Sequence, residues 1–372
     1  MLAVVKSAPL DGPEGTAIRE CPVPKPGPGE VLIRVGAAAI CGTDKHIYHW
    51  DPSIHDSVKP PRIYGHEFCG FVEEIGPGAE RAYEGTLRVG DYVSAEMHVV
   101  CGECPQCRSG NGHICIRTKI YGLHEDGAFA EFVKVPASNV IKLAPYVPLR
   151  VGAFLDALGN AVHTTQVIDL AGKSVAITGF GPIGAMAASI AEHSGASTVI
   201  VTDVSDAALE TARRWAASRA FGNLHAFNVR STKPADVKDA IQSITEGVGV
   251  DVVFEMSGSS AAINFGLDIV RMGGTLSLLG LPAGHSVTID DYTRNVIFKG
   301  VTMHGIIGRR MYSTWQRMLA LLRSGLDVDW IVQATYDSLS DFHDGIGKFD
   351  RHEALKVVFF PEGEKAALAR LS

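Results

Sequence analysis

Four of the seven cysteines, Cys101, Cys104, Cys107 and Cys115, fall inside the fifteen-residue stretch CGECPQCRSGNGHIC. Thiolates at C-x2-C-x2-C-x7-C intervals can wrap a tetrahedral ion and leave no position open, the chemistry of a structural zinc site. An iron–sulfur cluster uses similar ligands, but no second cysteine group accompanies this one and its last gap is long. Four unliganded thiols are the plainer alternative, and a Gly- and Pro-bearing loop gives them nowhere to be buried.

GFGPIG (179–184) fits G-x-G-x-x-G. Alone that pattern is weak. Here it follows a strand-like run, opens a helical pattern, and is followed 24 residues after Gly179 by Asp203 at the end of the next strand-like run. That is the context of a dinucleotide fingerprint and not of a plain glycine turn. Gly179 permits the tight turn, Gly181 lets a diphosphate approach backbone N–H groups at a helix N-terminus, and Gly184 lets that helix sit close to the sheet. A carboxylate at 203 accepts hydrogen bonds from an adenosine ribose and repels a 2′-phosphate, so NAD is expected over NADP. Val204, Ser205 and Asp206 offer that phosphate no cation.

A third group is dispersed: Cys41-Gly42-Thr43-Asp44-Lys45-His46, then Gly65-His66-Glu67. A thiolate, an imidazole and a carboxylate from separate loops can hold zinc and leave one position open, as hydrolytic and redox zinc sites require. Taken alone the set is only suggestive, because an isolated Cys or His is more often a packed or surface residue.

These groups need elements to carry them. To about residue 150 the chain offers short β-rich runs between Gly and Pro: VLIRVGAAAI (31–40), FVEEIG (71–76), YVSAEMHVV (92–100) and FAEFVKVP (129–136). They predict an antiparallel barrel-like sheet. After about 155 strand and helix patterns alternate. SVAITGFG leads to Pro182 at a first helical position, TVIVTDV (198–204) to a helix N-capped by Asp206, and the helical AINFGLDIVRMGG lies between VDVVFEMSG (250–258) and TLSLLGL (275–281). The alternation predicts a parallel doubly wound sheet. Beyond about 303 come an amphipathic helix over STWQRMLALLRSG (313–325), one last strand and a polar tail.

Composition bounds the function. Hydrophobic residues make up 46% and charged residues 20% of 372, the balance of a folded chain long enough for two domains of about 150 residues. A net charge of −7 offers no positive field to nucleic acid or to anionic membranes. No apolar run reaches the ~18 residues of a membrane helix, and MLAVVKSAPLDGPEG is broken at Lys6 and Pro9 before a secretory core forms. A soluble, cytoplasmic protein in a reducing compartment is expected, where clustered cysteines serve as metal ligands and not as disulfides.

Together the motifs resemble the zinc-containing medium-chain alcohol dehydrogenase superfamily: Cys-Gly-x-Asp after a strand, Gly-His-Glu, a four-cysteine lobe, then G-x-G-x-x-G. The resemblance extends to its bacterial threonine dehydrogenase branch, above all over FLDALGNAVHT (154–164) and VIFKGVTMHGIIGRRMYSTW (296–315). It implies a GroES-like β-barrel catalytic domain over 1–154 and 303–372 and a Rossmann NAD-binding domain, an α/β doubly wound parallel sheet, over 155–302.

Two zinc ions per subunit are implied, a catalytic one on Cys41, His66 and Glu67 and a structural one on Cys101, Cys104, Cys107 and Cys115. Thr43 and His46 match a proton relay. Asp156 matches an acidic residue beside the catalytic metal, able to coordinate it in some states, and His98 a histidine flanking the substrate pocket. Ile183, Asp203, Leu279-Gly280-Leu281 and Ile306-Ile307 match cofactor contacts. The implied reaction is oxidation of L-threonine to 2-amino-3-oxobutanoate with hydride transfer to NAD, the small-molecule substrate being L-threonine or a related hydroxy compound, in a homotetramer.

Sorbitol- or butanediol-type polyol dehydrogenases share these motifs and differ in the pocket. A redox-inactive nucleotide-binding protein would have lost metal ligands that are all present. His98, Arg309 and Arg310 are candidates to hold the substrate carboxylate. The chain departs from the family pattern at Ala208, where an arginine is usual, at WIVQATY (330–336), and at Ala354-Leu355-Lys356-Val357. Cys21 and Cys69 match no ligand and are read as small core residues.

Overall fold

A computed structural model describes residues 1–282 and 286–371. Its internal contacts divide into two compact units, Met1–Ala157 with Arg310–Ser313 and Val328–Ser372, and Leu158–Arg309 with Thr314–Asp327.

The first unit is organised on the strand Glu30–Ala39, whose small and β-branched residues are buried along nearly the whole run, as a strand covered on both faces requires. Phe68–Ile75 pairs along one edge, while Phe132–Pro136 and Lys356–Phe359 share the other, all antiparallel. Tyr92–Ala95 and Val140–Lys142 extend the sheet beyond Phe68–Ile75. A second sheet of Leu2–Lys6, Thr16–Glu20 and Arg62–Ile63 accompanies it. The antiparallel, barrel-like layer expected for this region is thus present. Inside it Phe342 packs on Phe129 and Phe359, with ring centroids 5.0 and 5.6 Å away.

Two details depart from expectation. YVSAEMHVV is not one strand but two, Tyr92–Ala95 and His98–Val99, because Glu96 leaves the ladder to be buried against His98. The C-terminal stretch holds more than a strand and a tail: Val332–Tyr336 pairs parallel with Lys356–Phe359, and Phe342–Asp350 and Glu364–Ala369 are helices.

Among the described residues the second unit contains six parallel strands: β1 (Ser174–Thr178), β2 (Thr198–Asp203), β3 (Leu224–Asn228), β4 (Val250–Glu255), β5 (Val270–Leu278) and β6 (Thr302–Gly305). Their order, β3-β2-β1-β4-β5-β6, is that of the doubly wound dinucleotide-binding fold, with the order reversing between β1 and β4. Helix α1 (Pro182–His193) follows β1 and α2 (Asp206–Ser218) follows β2. The N-cap of α2 is Ser205 and not Asp206: Ser205 is extended, and its hydroxyl accepts from the Ala208 N–H at 3.3 Å. Asp206 already belongs to the helix and accepts from the Asn228 amide instead. The helical pattern at 262–274 stops at Ile269, and the residues from Val270 begin β5.

Candidate zinc and dinucleotide sites

In the four-cysteine lobe the sulfurs of Cys104 and Cys107 are 3.4 Å apart, Cys101 and Cys115 3.5 Å, Cys104 and Cys115 3.9 Å, and Cys101 and Cys107 4.0 Å. A tetrahedron with metal–sulfur bonds of about 2.3 Å has edges of about 3.8 Å, so the lobe fits zinc as it stands. All four are free thiols. Backbone N–H groups of Glu103 and Cys104 and the Arg117 guanidinium pull the Cys101 thiol down to about 5, favouring the thiolate a metal needs.

The second cluster is assembled by strand pairing. Cys41 follows the strand Glu30–Ala39 and caps the helix Gly42–Tyr48, while His66 and Glu67 immediately precede Phe68–Ile75. Ala38 lies opposite Phe68, so the three side chains arrive together, with ligand atoms within 4.8 Å of one another. Gly65 makes the approach possible: its φ is +98°, and a Cβ there would stand 2.6 Å from the Phe129 ring.

The donor set fits zinc in chemistry as well as in spacing. Glu67 Oε1 and His66 Nδ1 are buried without a hydrogen-bond partner. Burial works against a charged His66 ring, but the Cys41 thiolate and the Asp44 and Asp156 carboxylates outweigh it and hold its pKa up to about 10. A divalent cation would take the place of that proton. Asp44 is itself fully buried; its carboxylate accepts from the Cys41 N–H at 2.8 Å and stands 3.8 Å from His66 Nδ1. Glu67 Oε2 is met by Lys356, whose ammonium also donates to the Ile40 carbonyl at 2.8 Å. Burial still pushes the Glu67 carboxyl above its usual range.

Asp156 and His98 form a group with Glu96, the three offering ligand atoms within 4.8 Å, and the Asp156 carboxylate also acts on His66 and Glu67. Glu96 Oε1 accepts from the His98 N–H at 3.1 Å and lies 2.9 Å from Nδ1. The Asn139 amide pins the same turn by donating to the Glu96 and His98 carbonyls. Thr43 Oγ1 is 3.9 Å from Cys41 Sγ, and the exposed His46 sets Nδ1 3.4 Å from Asp51 Oδ2.

In the second unit Gly179 takes φ +93° at the end of β1. A Cβ on Gly181 would meet nothing within 4 Å, whereas one on Gly184 would stand 2.1 Å from the Gly179 carbonyl oxygen. Gly181 therefore faces open space and Gly184 is required by the turn itself. Asp203 joins the two strand-end loops, accepting from the Phe180 N–H at 2.7 Å and the Ser205 N–H at 2.8 Å. Ile183 opens α1 half-buried. Leu279 and Gly280 leave β5 hydrogen-bonded to the Glu255 carbonyl, and Ile306 leaves β6 bonded to that of Leu278. Leu281 and Ile307, 89% and 60% exposed, are bare apolar side chains just past the C-terminal strand ends, where open parallel sheets take ligands.

Lys356, Asp44 and Glu96 are site residues that pattern reading missed. Asp44 carried a signal, a carboxylate three residues after Cys41 at a helix start, which is capping-box spacing. Arg230 is a cation invisible around position 203: it lies two residues beyond Asn228, the register partner of Asp203. Arg309 is removed from the candidates for a substrate carboxylate, because it is buried against Gly159 and donates to Asn160 Oδ1 at 3.1 Å. Cys69 is a core residue, but Cys21 is half-exposed.

The family model of the alcohol dehydrogenase GroES-like domain matches residues 27–145, and that of the zinc-binding dehydrogenases residues 182–324. The chain is 44% identical to the L-threonine 3-dehydrogenase of Caldanaerobacter subterraneus subsp. tengcongensis, over 97% of this chain and 99% of that one. It is 42% identical to that of Pyrococcus horikoshii, over 96% and 98%. Among solved structures, the alcohol dehydrogenase TADH from Thermus sp. ATN1 aligns with a TM-score of 0.82 at 32% identity, covering 97% of this chain and all of the other. With both family models matched and relatives of this identity aligned along nearly its whole length, the chain belongs to the zinc-containing medium-chain alcohol dehydrogenases, in the group of the L-threonine 3-dehydrogenases.

Proposed function

We propose that the chain oxidises the secondary hydroxyl of L-threonine to 2-amino-3-oxobutanoate and delivers the hydride to NAD. The observation that carries this reading is the convergence of Cys41, His66 and Glu67 in a chain 44% identical to an L-threonine 3-dehydrogenase. Cys41, His66 and Glu67 would hold a catalytic zinc with one position left open, and the four-cysteine lobe a closed structural one. When bound, zinc supplies the Lewis acidity that lowers the pKa of a hydroxyl, and NAD accepts the hydride.

The chain's own residues manage protons and orientation. Thr43, beside Cys41, receives the hydroxyl proton at its buried end, and His46, exposed and oriented by Asp51, hands it to solvent. Glu96 holds His98 through both its backbone N–H and Nδ1, which fixes the direction of the imidazole ring that would flank the substrate. Asp156 adds negative charge beside His66 and Glu67, which supports a cation there. The Gly179–Gly184 turn and Asp203 would take the diphosphate and adenosine ribose of NAD.

A cytoplasmic homotetramer is part of the reading. β6 is a sheet edge, and Met272 and Phe298, each 74% exposed, give the same unit apolar surface suited to a second copy. None of the described helices is long and apolar enough to cross a membrane.

Initial rates of NADH formation with L-threonine, sorbitol and 2,3-butanediol test the substrate. Threonine is expected to be turned over fastest. Rapid polyol oxidation with no threonine turnover would replace this reading by a polyol dehydrogenase.

A further inference from the structure

Glu255 ends β4 and is fully buried. The chemistry above gives it no task. Its Oε1 accepts from the Ser257 hydroxyl at 2.5 Å, the Ser257 N–H at 2.8 Å, the Gly258 N–H at 2.9 Å and the Thr178 hydroxyl at 3.4 Å. All of these donors are neutral hydroxyl and backbone N–H groups, which bring no positive charge to the carboxyl group, and in a low-dielectric interior a charge placed there acts at range.

Its place in the sheet says on what it acts. Thr178 and Glu255 are the last residues of β1 and β4, the two strands between which the order reverses, and doubly wound sheets take ligands in that crevice. Glu255 also shapes the neighbouring strand end. Its carbonyl accepts from the Leu279 and Gly280 N–H groups at 3.0 and 3.1 Å, and a Cβ on Gly280 would stand 2.6 Å from its Oε2. The glycine turn and Asp203 lie at the ends of β1 and β2. A dinucleotide with its diphosphate on that turn and its adenosine ribose on Asp203 must run its other nucleotide toward β4 and β5, where Glu255 is buried.

We infer that Glu255 sets redox-form specificity, favouring the oxidised nicotinamide ring, a pyridinium cation, over the neutral reduced ring. The inference rests on the NAD reading above. No bond is made or broken at Glu255. Hydride addition removes the ring's positive charge, so a fixed anion holds the oxidised cofactor and lets the reduced one leave.

The test is equilibrium binding of NAD+, NADH and ADP-ribose to the full chain, as wild type and as Glu255→Gln, by titration calorimetry. The ratio Kd(NAD+)/Kd(NADH) is expected to rise about three- to tenfold in the variant. ADP-ribose, which has no nicotinamide ring, is expected to change by less than about twofold. Ser257→Lys is the second variant, at an exposed position whose side chain already bonds Glu255, and is expected to move the ratio the same way if Glu255→Gln does not fold. An unchanged ratio overturns the inference, as does an equal loss for all three ligands, which a merely structural role would produce. A wild type that binds neither NAD+ nor ADP-ribose overturns the cofactor reading as well; one that binds both with a ratio indifferent to these substitutions overturns this inference alone.

Discussion

The Lys356 ammonium and the Glu67 carboxylate form an ion pair inside the first unit, 2% and 0% exposed, between residues 289 positions apart. Removing one partner of such a pair leaves an uncompensated buried charge, here close to Asp44 and Asp156 as well. Lys356→Met is therefore expected to cost about 3–5 kcal/mol in urea unfolding of the chelator-treated chain. Lys356→Met combined with Glu67→Gln should recover a large part of it. A loss below ~1 kcal/mol in the single variant would show that water reaches the pair.

Gly181 and Gly184 separate cofactor binding from folding. Nothing stands near a Cβ at 181, so Gly181→Ala should keep unfolding stability within about 0.5 kcal/mol while NAD affinity falls about tenfold or more. At 184 a Cβ would collide with the Gly179 carbonyl, and Gly184→Ala should lose about 1–3 kcal/mol together with NAD binding. Paired thermal-unfolding and calorimetric measurements decide; equal effects at the two positions would contradict the geometry.

Metal content should follow the two cysteine groups independently. Elemental analysis is expected to find two zinc ions per wild-type chain and one in either Cys107→Ser or Cys41→Ser. Cys107→Ser should lower Tm markedly, because the lobe has little apolar core of its own. Cys41→Ser should abolish turnover with a much smaller change in Tm. A single zinc in the wild type would argue for a scaffold.

His49 supplies a pH dependence. Its Nδ1 lies 2.8 Å from Asp11 Oδ1 and its Nε2 2.6 Å from Asp350 Oδ2. Burial disfavours the charged ring, and the Asp350 and Asp11 carboxylates outweigh it, raising the pKa above 6.5. A pKa raised on folding contributes stability that is complete below the unfolded value and disappears as pH climbs through the folded one. The Tm difference between wild type and His49→Gln should thus be greatest below about pH 6 and shrink above neutrality. A difference independent of pH would show that the contacts do not stabilise the charged ring.

What could be read from the chain alone was what is local in it. The cysteine lobe and the glycine turn with Asp203 each place all their partners within a short stretch, so spacing carried their chemistry. Lys356 could not be read that way, because its task exists only once Lys356–Phe359 has paired with Glu30–Ala39. Glu96 sat in an alternating run as an outward-facing strand residue would, and it is buried because the chain leaves the ladder there to meet His98. Arg230 reaches the Asp203 end of the sheet only through the register of β2 and β3. The boundary between the helix Ser260–Ile269 and β5 was hidden by Val270 and Met272, apolar residues that extend a helical period as readily as a strand.

That difference in locality sets an order in biosynthesis. The four-cysteine lobe is complete once residue 115 has been made and needs no distant partner to bring its sulfurs within 4.0 Å. The Cys41, His66 and Glu67 set acquires its balancing ammonium only after residue 356 has left the ribosome. The lobe's ligand geometry is thus independent of the pairing that brings Lys356 to Glu67, whereas the surroundings of Glu67 are not. The electrostatic setting of the reactive ligand set is therefore completed by the strand Lys356–Phe359, whose first residue carries the ammonium to Glu67 and the Ile40 carbonyl.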